Sequence, residues 1–324
     1  MRRWLLPESI EDVLPDEAAR LEALRRKLLD HFAARGYRLV QPPLIEHLDS
    51  LLTGSGSDLE LQTFKVVDPL SGRLVGVRAD ITPQVARIDA HVLNESGVTR
   101  LCYAGSVLRT MSSTPGAQRE AFQVGAERFG EPGIDADREV VALMISSLAA
   151  AGLAGLHLDV GHVGVYRALA HGAGIANEEG DLFVAIAAKD VPAVAQLCRK
   201  LPAAWRDALT ALPSLFGPAG EVLGHARDIL PDTPAIANAL GTLEALAKSA
   251  ESHVEALHID LADLRGYHYH NGAIFSVFTS GEPSAIGNGG RYDGIGKSFG
   301  RSRPATGFTF YLRQLDAVLA RAQR

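Results

Sequence analysis

Apolar residues recur at helical spacing near the start of the chain. Pro15 opens a stretch in which they are separated by three and four residues, and Gly36 follows that stretch. The apolar positions are Leu21, Leu24, Leu28, Leu29 and Phe32. This spacing predicts an amphipathic helix that begins at Pro15 and ends before Gly36, because one helical face then collects the side chains that leave water.

Shorter stretches with strand-like patterns follow this helix. The predicted strands are residues 37–40, 63–68, 74–78, 100–108 and 121–129. The last two form a hairpin with a long polar tip at residues 110–118. Pro83 fits the first turn of a helix that runs to about residue 93.

The second half of the chain alternates between sheet and helix. The predicted strands are residues 156–160, 257–261, 267–278 and 287–292, and the predicted helices include 136–151 and 312–322. Alanine- and leucine-rich segments broken by prolines fill residues 176–252 and predict a helical insertion. Strands at both ends of a helical block favour an α+β fold over a doubly wound sheet.

Composition narrows the class of protein. Hydrophobic residues make up 47% and charged residues 22% of the 324 residues, which is the balance of a globular protein. The formal net charge of −6 offers no overall basic surface for tRNA or DNA. Cys102 and Cys198 lie far apart without a CxxC partner, which predicts a reducing, cytoplasmic location. Polar residues interrupt every long apolar stretch, so we expect no membrane span.

A cation, a carboxylate and a hydroxyl alternate at Arg78, Asp80 and Thr82. In extended backbone these three side chains share one face and would cradle a zwitterion. For this cluster taken alone, an ordinary exposed strand end is the favoured alternative.

A second cluster flanks the tip of the predicted hairpin. Arg109 precedes the tip, and Gln123 and Glu127 follow it. Gln123 and Glu127 share strand parity, so both can point into one pocket. A surface position is the favoured alternative for Arg109 taken alone.

Residues 264–272 are dense in tyrosine and histidine, and residues 287–293 in glycine. Alternating rings fit either a small-ligand pocket or a solvated sheet face. Zinc is a weak hypothesis because no carboxylate or thiol accompanies the histidines at ligand spacing. The glycine segment lacks dinucleotide-binding spacing, and no GxxxxGK[ST], HExxH or GxSxG motif occurs. The sequence therefore predicts no metal and no cofactor.

Taken in order, these segments resemble the class II aminoacyl-tRNA synthetases, and the histidyl-tRNA synthetases in particular. Residues 36–46 resemble motif 1, whose proline falls on Pro43 and which forms the homodimer interface of that family. Residues 109–127 resemble motif 2, and the segment that begins at Thr306 resembles motif 3. Arg265-Gly-Tyr and the segment ending Arg-Tyr-Asp293 resemble the two histidine-specific signatures.

The resemblance covers nearly the whole chain. It implies one class II synthetase-like catalytic-type domain over residues 1–324, with an antiparallel sheet flanked by helices and the helical insertion at about 176–252. Only 17 residues follow Gly307, so we expect no anticodon-binding domain after motif 3.

Departures from the synthetase pattern bear on catalysis. Met111 and Ser112 stand where motif 2 continues with a glutamate and an arginine, Gln314 replaces the arginine of motif 3, and Tyr311 replaces a glycine. Each lost cation removes a charge-assisted bond to triphosphate that is worth roughly 1.5–3 kcal/mol. We therefore expect no catalytic residues and no amino-acid activation.

The amino-acid pocket of the resembled family is better preserved. The resemblance places Asp80 and Thr82 at the α-amino group and Arg109 and Arg265 on the carboxylate side. It adds Gln123 and Glu127 to the cradle and Tyr269 near the imidazole. His268 and His270 depart from the signature, where an aspartate and a tyrosine are usual.

A synthetase-like chain with these departures is similar to the regulatory subunits of ATP phosphoribosyltransferase. That similarity implies a homodimer within a hetero-octamer, with the short-form catalytic subunit as partner, in the first step of histidine biosynthesis. It also implies feedback by histidine, with neither nucleic acid nor membrane as a partner. Two alternatives are a truncated enzyme that adenylates an amino acid and a tRNA-binding accessory protein.

Overall fold

The computed structural model describes residues 5–53, 57–111, 118–175 and 180–322. The chain divides into two compact units. Unit 1 comprises residues 1–132, 146–153 and 293–324, and unit 2 comprises residues 133–145 and 154–292. Within the described ranges, no helix is both long and apolar enough to cross a lipid bilayer.

Helices occur throughout the described chain. In chain order they are α1 (Pro15–Ala33), α2 (Leu48–Leu51), α3 (Ser57–Gln62), α4 (Thr82–Arg87), α5 (Ile134–Ala151), α6 (Val163–Gly172), α7 (Gly180–Ala187), α8 (Val191–Leu197), α9 (Ala203–Ala211), α10 (Ala219–Ile229), α11 (Pro234–Ala250) and α12 (Leu312–Ala322). Helix α4 continues into a π-helix at Ile88–Leu93, and short 3-10 turns lie at Cys198–Lys200, Leu212–Ser214, Glu251–His253 and Ile295–Phe299.

Strands form the other half of the architecture. In chain order they are β1 (Arg38–Leu39), β2 (Ile45–His47), β3 (Phe64–Val67), β4 (Leu74–Val77), β5 (Thr99–Leu108), β6 (Glu120–Phe129), β7 (Leu156–His162), β8 (Phe216–Pro218), β9 (Ala256–Asp260), β10 (Ala273–Thr279), β11 (Gly287–Arg291) and β12 (Ala305–Tyr311). The predicted hairpin is β5 and β6, and most of its predicted tip lies outside the described residues.

Unit 1 holds four strands side by side in the order β1-β5-β6-β12. Strand β1 is parallel to β5, whereas β6 is antiparallel to both β5 and β12. In the β6–β12 register, Gln123 lies opposite Tyr311 and Glu127 opposite Gly307. A smaller antiparallel sheet has the order β2-β4-β3.

The amphipathic helix predicted at the start of the chain is confirmed as α1. Its buried residues are Leu21, Leu24, Leu28, Leu29 and Phe32, the five that the spacing selects. The Phe32 ring packs edge-on against Phe308 of β12, with centroids 5.8 Å apart. Arg20 forms an ion pair with Asp316 of α12 at 3.0 Å. The core of unit 1 therefore lies between these helices and the sheet.

Unit 2 holds five strands in the order β11-β10-β7-β9-β8. Strands β7 and β9 are parallel, β8 is antiparallel to β9, and β10 is antiparallel to both β7 and β11. Helices α7 to α11 make up most of residues 180–250, and β8 is a three-residue strand there that the sequence did not predict. Separate helical and mainly antiparallel regions agree with the predicted α+β class, with two parallel pairs making the strand arrangement mixed.

One predicted strand begins too early. Residues 267–269 form a turn, residues 270–272 are irregular, and β10 starts only at Ala273. Gly266 has φ +63°, and the carbonyls of Tyr267 and His270 accept hydrogen bonds from the Arg167 guanidinium at 2.6 and 2.8 Å. Carbonyls captured in this way are not available to a strand ladder, so the solvated-sheet-face interpretation of residues 267–272 is wrong.

Candidate functional site

Asp80 lies in the turn between β4 and α4, and Gln123 fixes its carboxylate. Asp80 Oδ1 accepts hydrogen bonds from Ile81 N at 2.9 Å and from Gln123 Nε2 at 2.8 Å. The buried Gln123 amide also accepts from Ile81 N at 3.0 Å. The half-buried Asp80 keeps Oδ2 without a hydrogen bond to any described residue, so this oxygen can accept from an ammonium group.

Arg78 does not join Asp80 at the site. Its guanidinium is buried and donates to Ser106 O at 2.7 Å and to Pro42 O at 2.8 Å. Burial lowers the pKa of this side chain. The prediction that residues 78, 80 and 82 share one face was wrong for Arg78, because β4 ends at Val77 and α4 begins at Thr82. The cation of the cradle must therefore come from elsewhere.

Thr82 and Glu127 meet in a buried cluster of hydroxyl groups. Thr82 Oγ1 donates to Glu127 Oε1 at 2.9 Å, and Tyr103 Oη donates to the same oxygen at 3.2 Å. Thr309 Oγ1 lies 2.7 Å from Tyr103 Oη. Burial, reinforced by the Glu127 and Asp80 charges, raises the pKa of Tyr103 well above its ordinary value. The phenol therefore stays protonated and acts as a donor.

Sequence reasoning missed two members of this cluster, Tyr103 and Thr309. Tyr103 lies within an apolar stretch of β5 that offered no sign of function. Thr309 shares strand parity with Gly307 and Tyr311 on β12, and that parity was a usable signal for the same face as Gln123 and Glu127.

Arg109 supplies a cation beside Asp80. Its Nε donates to Ala79 O at 3.3 Å and its Nη2 donates to the Tyr311 hydroxyl at 2.7 Å. Burial lowers the pKa of Arg109, but Tyr311 and Asp80 outweigh burial and leave the pKa above its ordinary value. Arg109 is therefore a half-buried, charged member of the site, and the surface alternative is wrong.

The remaining two predicted site residues belong to unit 2. The Arg265 guanidinium pairs with both carboxylate oxygens of Asp263, with Nε at 2.9 and 3.1 Å. That pairing outweighs burial and raises the pKa of Arg265. The Tyr269 ring stacks on Tyr292 with centroids 4.9 Å apart. Each side chain is thus held in one orientation inside its own unit.

Two histidines of unit 2, His268 and His270, lie in different surroundings. His268 is exposed and packs on Phe183 with ring centroids 5.8 Å apart. Burial lowers the pKa of His270 to about 4, so its imidazole is neutral near pH 7. Over the part of the chain that the structure describes, no three His, Cys, Asp or Glu side chains are grouped to hold a metal ion.

The start of α12 carries the altered end of motif 3. Gln314 lies half-buried there, and the neighbouring Arg313 donates to Glu17 Oε1 at 2.8 Å and to Gln118 Oε1 at 2.6 Å. Met111 is 62% exposed, and Ser112 lies outside the described residues. Arg313 is thus engaged within unit 1 by an acidic partner and an amide.

Pro43, the predicted interface residue, is exposed just before β2. Its carbonyl accepts a hydrogen bond from Gln84 Nε2 at 2.8 Å. Leu44 and Ile45 beside it are 51% and 52% exposed. Neighbouring exposed apolar side chains of this kind are typical of surfaces that pack against another protein.

Comparison with known proteins gives consistent matches. The family model for histidyl-tRNA synthetase matches residues 9–315. An ATP phosphoribosyltransferase regulatory subunit from Thiobacillus denitrificans is 58% identical, over 97% of this chain and 98% of that protein. A structure of an ATP phosphoribosyltransferase regulatory subunit/histidyl-tRNA synthetase from Bacillus halodurans is 27% identical with a TM-score of 0.86, covering 97% of this chain and 82% of that one. A histidine–tRNA ligase subunit from Alicyclobacillus acidocaldarius is 26% identical with a TM-score of 0.80, covering 100% of both chains.

These likenesses confirm the predicted class II synthetase-like fold, a large mixed sheet flanked by helices. Within unit 1, Asp80 is bonded to Gln123, and Thr82 is bonded to Glu127. The Asp80 carboxylate is close enough to the Arg109 guanidinium to raise its pKa, so unit 1 offers an anion and a cation near each other.

Proposed function

The chain belongs to the histidyl-tRNA synthetase family and, within it, to the regulatory subunits of ATP phosphoribosyltransferase, and we propose that it activates a short-form catalytic subunit and conveys histidine feedback. In this proposal, the catalytic subunit reaches full activity only when this chain is bound to it. Histidine would then change the stability of the active assembly relative to the inhibited one. Such coupling between two sites is typically worth roughly 1–3 kcal/mol.

The strongest support is the near full-length likeness to a regulatory subunit of more than half identical sequence. Every motif that carries the amino-acid cradle lies within residues 9–315, the range that the family model matches. Because the likeness extends over 98% of that relative, it does not rest on a shared fragment alone.

Support for histidine as the effector comes from the charges at the site in unit 1. Asp80 presents an oxygen without a described partner, and Arg109 presents a guanidinium close by in the chain's fold. An α-amino acid carries an ammonium and a carboxylate a few bonds apart, so this pair suits its zwitterion. For Arg265 and Tyr269, which belong to unit 2, contact with the amino acid stays a prediction of the family resemblance.

We propose that the chain does not itself activate an amino acid. Phosphoryl chemistry needs cations around the developing charge. Gln314 provides none at the position where motif 3 carries its arginine. The rival hypothesis, an adenylating enzyme, requires histidine-dependent exchange of pyrophosphate into ATP, for which we expect no activity above background.

The proposed assembly is a homodimer within a hetero-octamer in the cytoplasm. Exposed Pro43, Leu44 and Ile45 support a dimer surface near β2. Cys102 and Cys198 are free and buried, which suits a reducing compartment.

The deciding experiment mixes purified chain with a short-form catalytic subunit and measures the condensation of ATP with phosphoribosyl pyrophosphate. We expect the rate to rise with added chain to a stoichiometric plateau and to fall when histidine is added. A catalytic subunit that is fully active alone, and unchanged by the mixture, would refute the regulatory proposal.

A further inference from the structure

Arg109 is held from two sides within unit 1. Its Nε donates to Ala79 O at 3.3 Å, and its Nη2 donates to the Tyr311 hydroxyl at 2.7 Å. The guanidinium carbon also lies 5.3 Å from the centroid of the Tyr311 ring. A free arginine side chain samples many rotamers, so these contacts fix the orientation of its planar end group.

The donors that remain on Arg109 suit a ligand of one shape. The Nη1 hydrogens and one Nη2 hydrogen bond to none of the described residues. Two parallel N–H groups on one edge of a guanidinium match the two oxygens of a carboxylate. Asp80 follows Ala79 directly and offers the opposite charge. A zwitterion can therefore place its carboxylate on Arg109 and its ammonium on Asp80.

Tyr311 is also tied to the Asp80 side of the site through the sheet. It lies opposite Gln123 in the β6–β12 register. Gln123 Nε2 in turn donates to Asp80 Oδ1 at 2.8 Å. Tyr311 and Gln123, which face each other on β12 and β6, thus orient the Arg109 cation and the Asp80 anion respectively. This arrangement keeps the two charges at a fixed separation.

We propose that Tyr311 is a positioning residue for the carboxylate of the bound amino acid. Its hydroxyl bonds to the Arg109 guanidinium and keeps one edge of that guanidinium directed to the carboxylate. This role rests on the proposed binding of histidine by this chain. Tyr311 acts through Arg109 and does not touch the ligand itself. Its contribution is preorganisation: the guanidinium needs no ordering when the ligand arrives.

The test compares two ligands and two matched variants by calorimetric titration. Y311F keeps the ring and removes only the hydroxyl. We expect its Kd for histidine to rise roughly tenfold, while its Kd for histidine methyl ester, which lacks the carboxylate charge, stays unchanged. Y37F alters another tyrosine of unit 1 that lies outside the site, and we expect it to bind both ligands as the unaltered chain does.

A second variant guards against an indirect effect of Y311F on folding. In an R109M background the hydroxyl has no guanidinium to hold, so we expect Y311F to cause no further loss of histidine affinity. Additive losses in this cycle would overturn the positioning role.

The outcomes separate this role from the proposed function. Equal histidine affinity in Y311F and the unaltered chain overturns the role of Tyr311 and leaves the regulatory function standing. Equal weakening of both ligands means that Tyr311 only shapes the pocket, which also overturns the role. If the unaltered chain does not bind histidine, then both this role and histidine binding by this chain are refuted, while activation of the catalytic subunit is judged by the mixing assay.

Discussion

Gly307 of β12 lies directly opposite Glu127 of β6, so closely that a Cβ at residue 307 would overlap the Glu127 carboxylate. The Ala126 carbonyl, 2.7 Å from that Cβ position, blocks an escape on the other side. We expect G307A to lower the free energy of unfolding by roughly 1–3 kcal/mol and to weaken histidine binding, because Glu127 must move. Urea denaturation and calorimetric titration measure the two effects.

A matched glycine tests whether crowding is the cause. Gly241 lies in α11, where an added Cβ meets no atom within 4 Å. We expect G241A to leave stability unchanged or to raise it by up to about 1 kcal/mol, since alanine favours a helix. Equal stability of G307A and the unaltered chain would contradict the crowding seen at Glu127.

Asp80 tests the proposed ammonium subsite. D80N keeps the size of the side chain and removes its charge. We expect histidine affinity to fall roughly tenfold or more, because a charged hydrogen bond to the ammonium becomes a neutral one. E120Q, on an exposed residue of β6, makes the same change of charge outside the site and serves as the control in calorimetry. Unchanged affinity in D80N would refute the subsite.

These residues also mark how far the sequence alone could lead. Spacing in α1 predicted the buried face of the helix, and residue parity predicted which side of the sheet each residue of β6 faces. The same parity placed Gln123 and Glu127 together. The same argument failed for Arg78, whose predicted place beside Asp80 is wrong. Its guanidinium is buried because it donates to the carbonyls of Pro42 and Ser106.

Long-range contacts account for the other failures. The turn and irregular residues at 267–272 depend on Arg167, which lies about a hundred positions earlier and binds two of their carbonyls. The bond between Arg109 and Tyr311 joins residues 202 positions apart. No local pattern encodes such pairs, so the family resemblance could name Arg109 but not the partner that orients it.

A buried ion pair in unit 1 gives a prediction about stability. Arg303 Nη1 donates to Asp89 at 2.7 and 3.0 Å, and the two side chains are only 7% and 1% exposed. We expect R303M to lower the free energy of unfolding by roughly 3–5 kcal/mol, because Asp89 stays buried and loses the cation that offsets its burial. Denaturant titration measures this loss.

The exposed pair Arg38–Glu95 is the matched control for Arg303. Its side chains are 52% and 43% exposed. R38M removes the same charge, yet we expect a loss below about 1 kcal/mol, because water screens a surface pair. Similar losses of stability in R38M and R303M would show that burial does not make the Arg303–Asp89 pair more important for stability than an exposed pair.

His162 predicts how stability depends on pH. It caps α6, its Nδ1 accepts from Gly164 N at 3.0 Å, and burial, with Arg167 and Arg291 nearby, lowers its pKa from 6.5 to about 4. A pKa lowered by folding means that the unfolded chain binds the proton first. Stability is therefore full above pH 6.5 and falls as the pH drops toward 4.

The variant H162N retains a good helix cap but cannot titrate. Between pH 7 and pH 5 we expect the unaltered chain to lose about 2 kcal/mol more stability than H162N. H171N, which changes an exposed histidine of the same helix, is the control and should keep the dependence of the unaltered chain. Urea unfolding at the two pH values gives the comparison, and parallel losses in all three proteins would contradict the assignment to His162.

The proposed homodimer makes Ile45 a decisive position. Ile45 is 52% exposed on β2, and Leu44, which directly precedes β2, is 51% exposed. A charge placed at the centre of an apolar interface cannot be solvated once the interface closes, so we expect I45D to dissociate the dimer into monomers. V184D puts the same charge on Val184 of α7, which is 64% exposed outside this surface, and should remain dimeric. Sedimentation velocity at matched concentrations distinguishes the two. A dimer that tolerates I45D as well as V184D would place the interface elsewhere on the chain, and a monomeric unaltered chain would refute the homodimer itself.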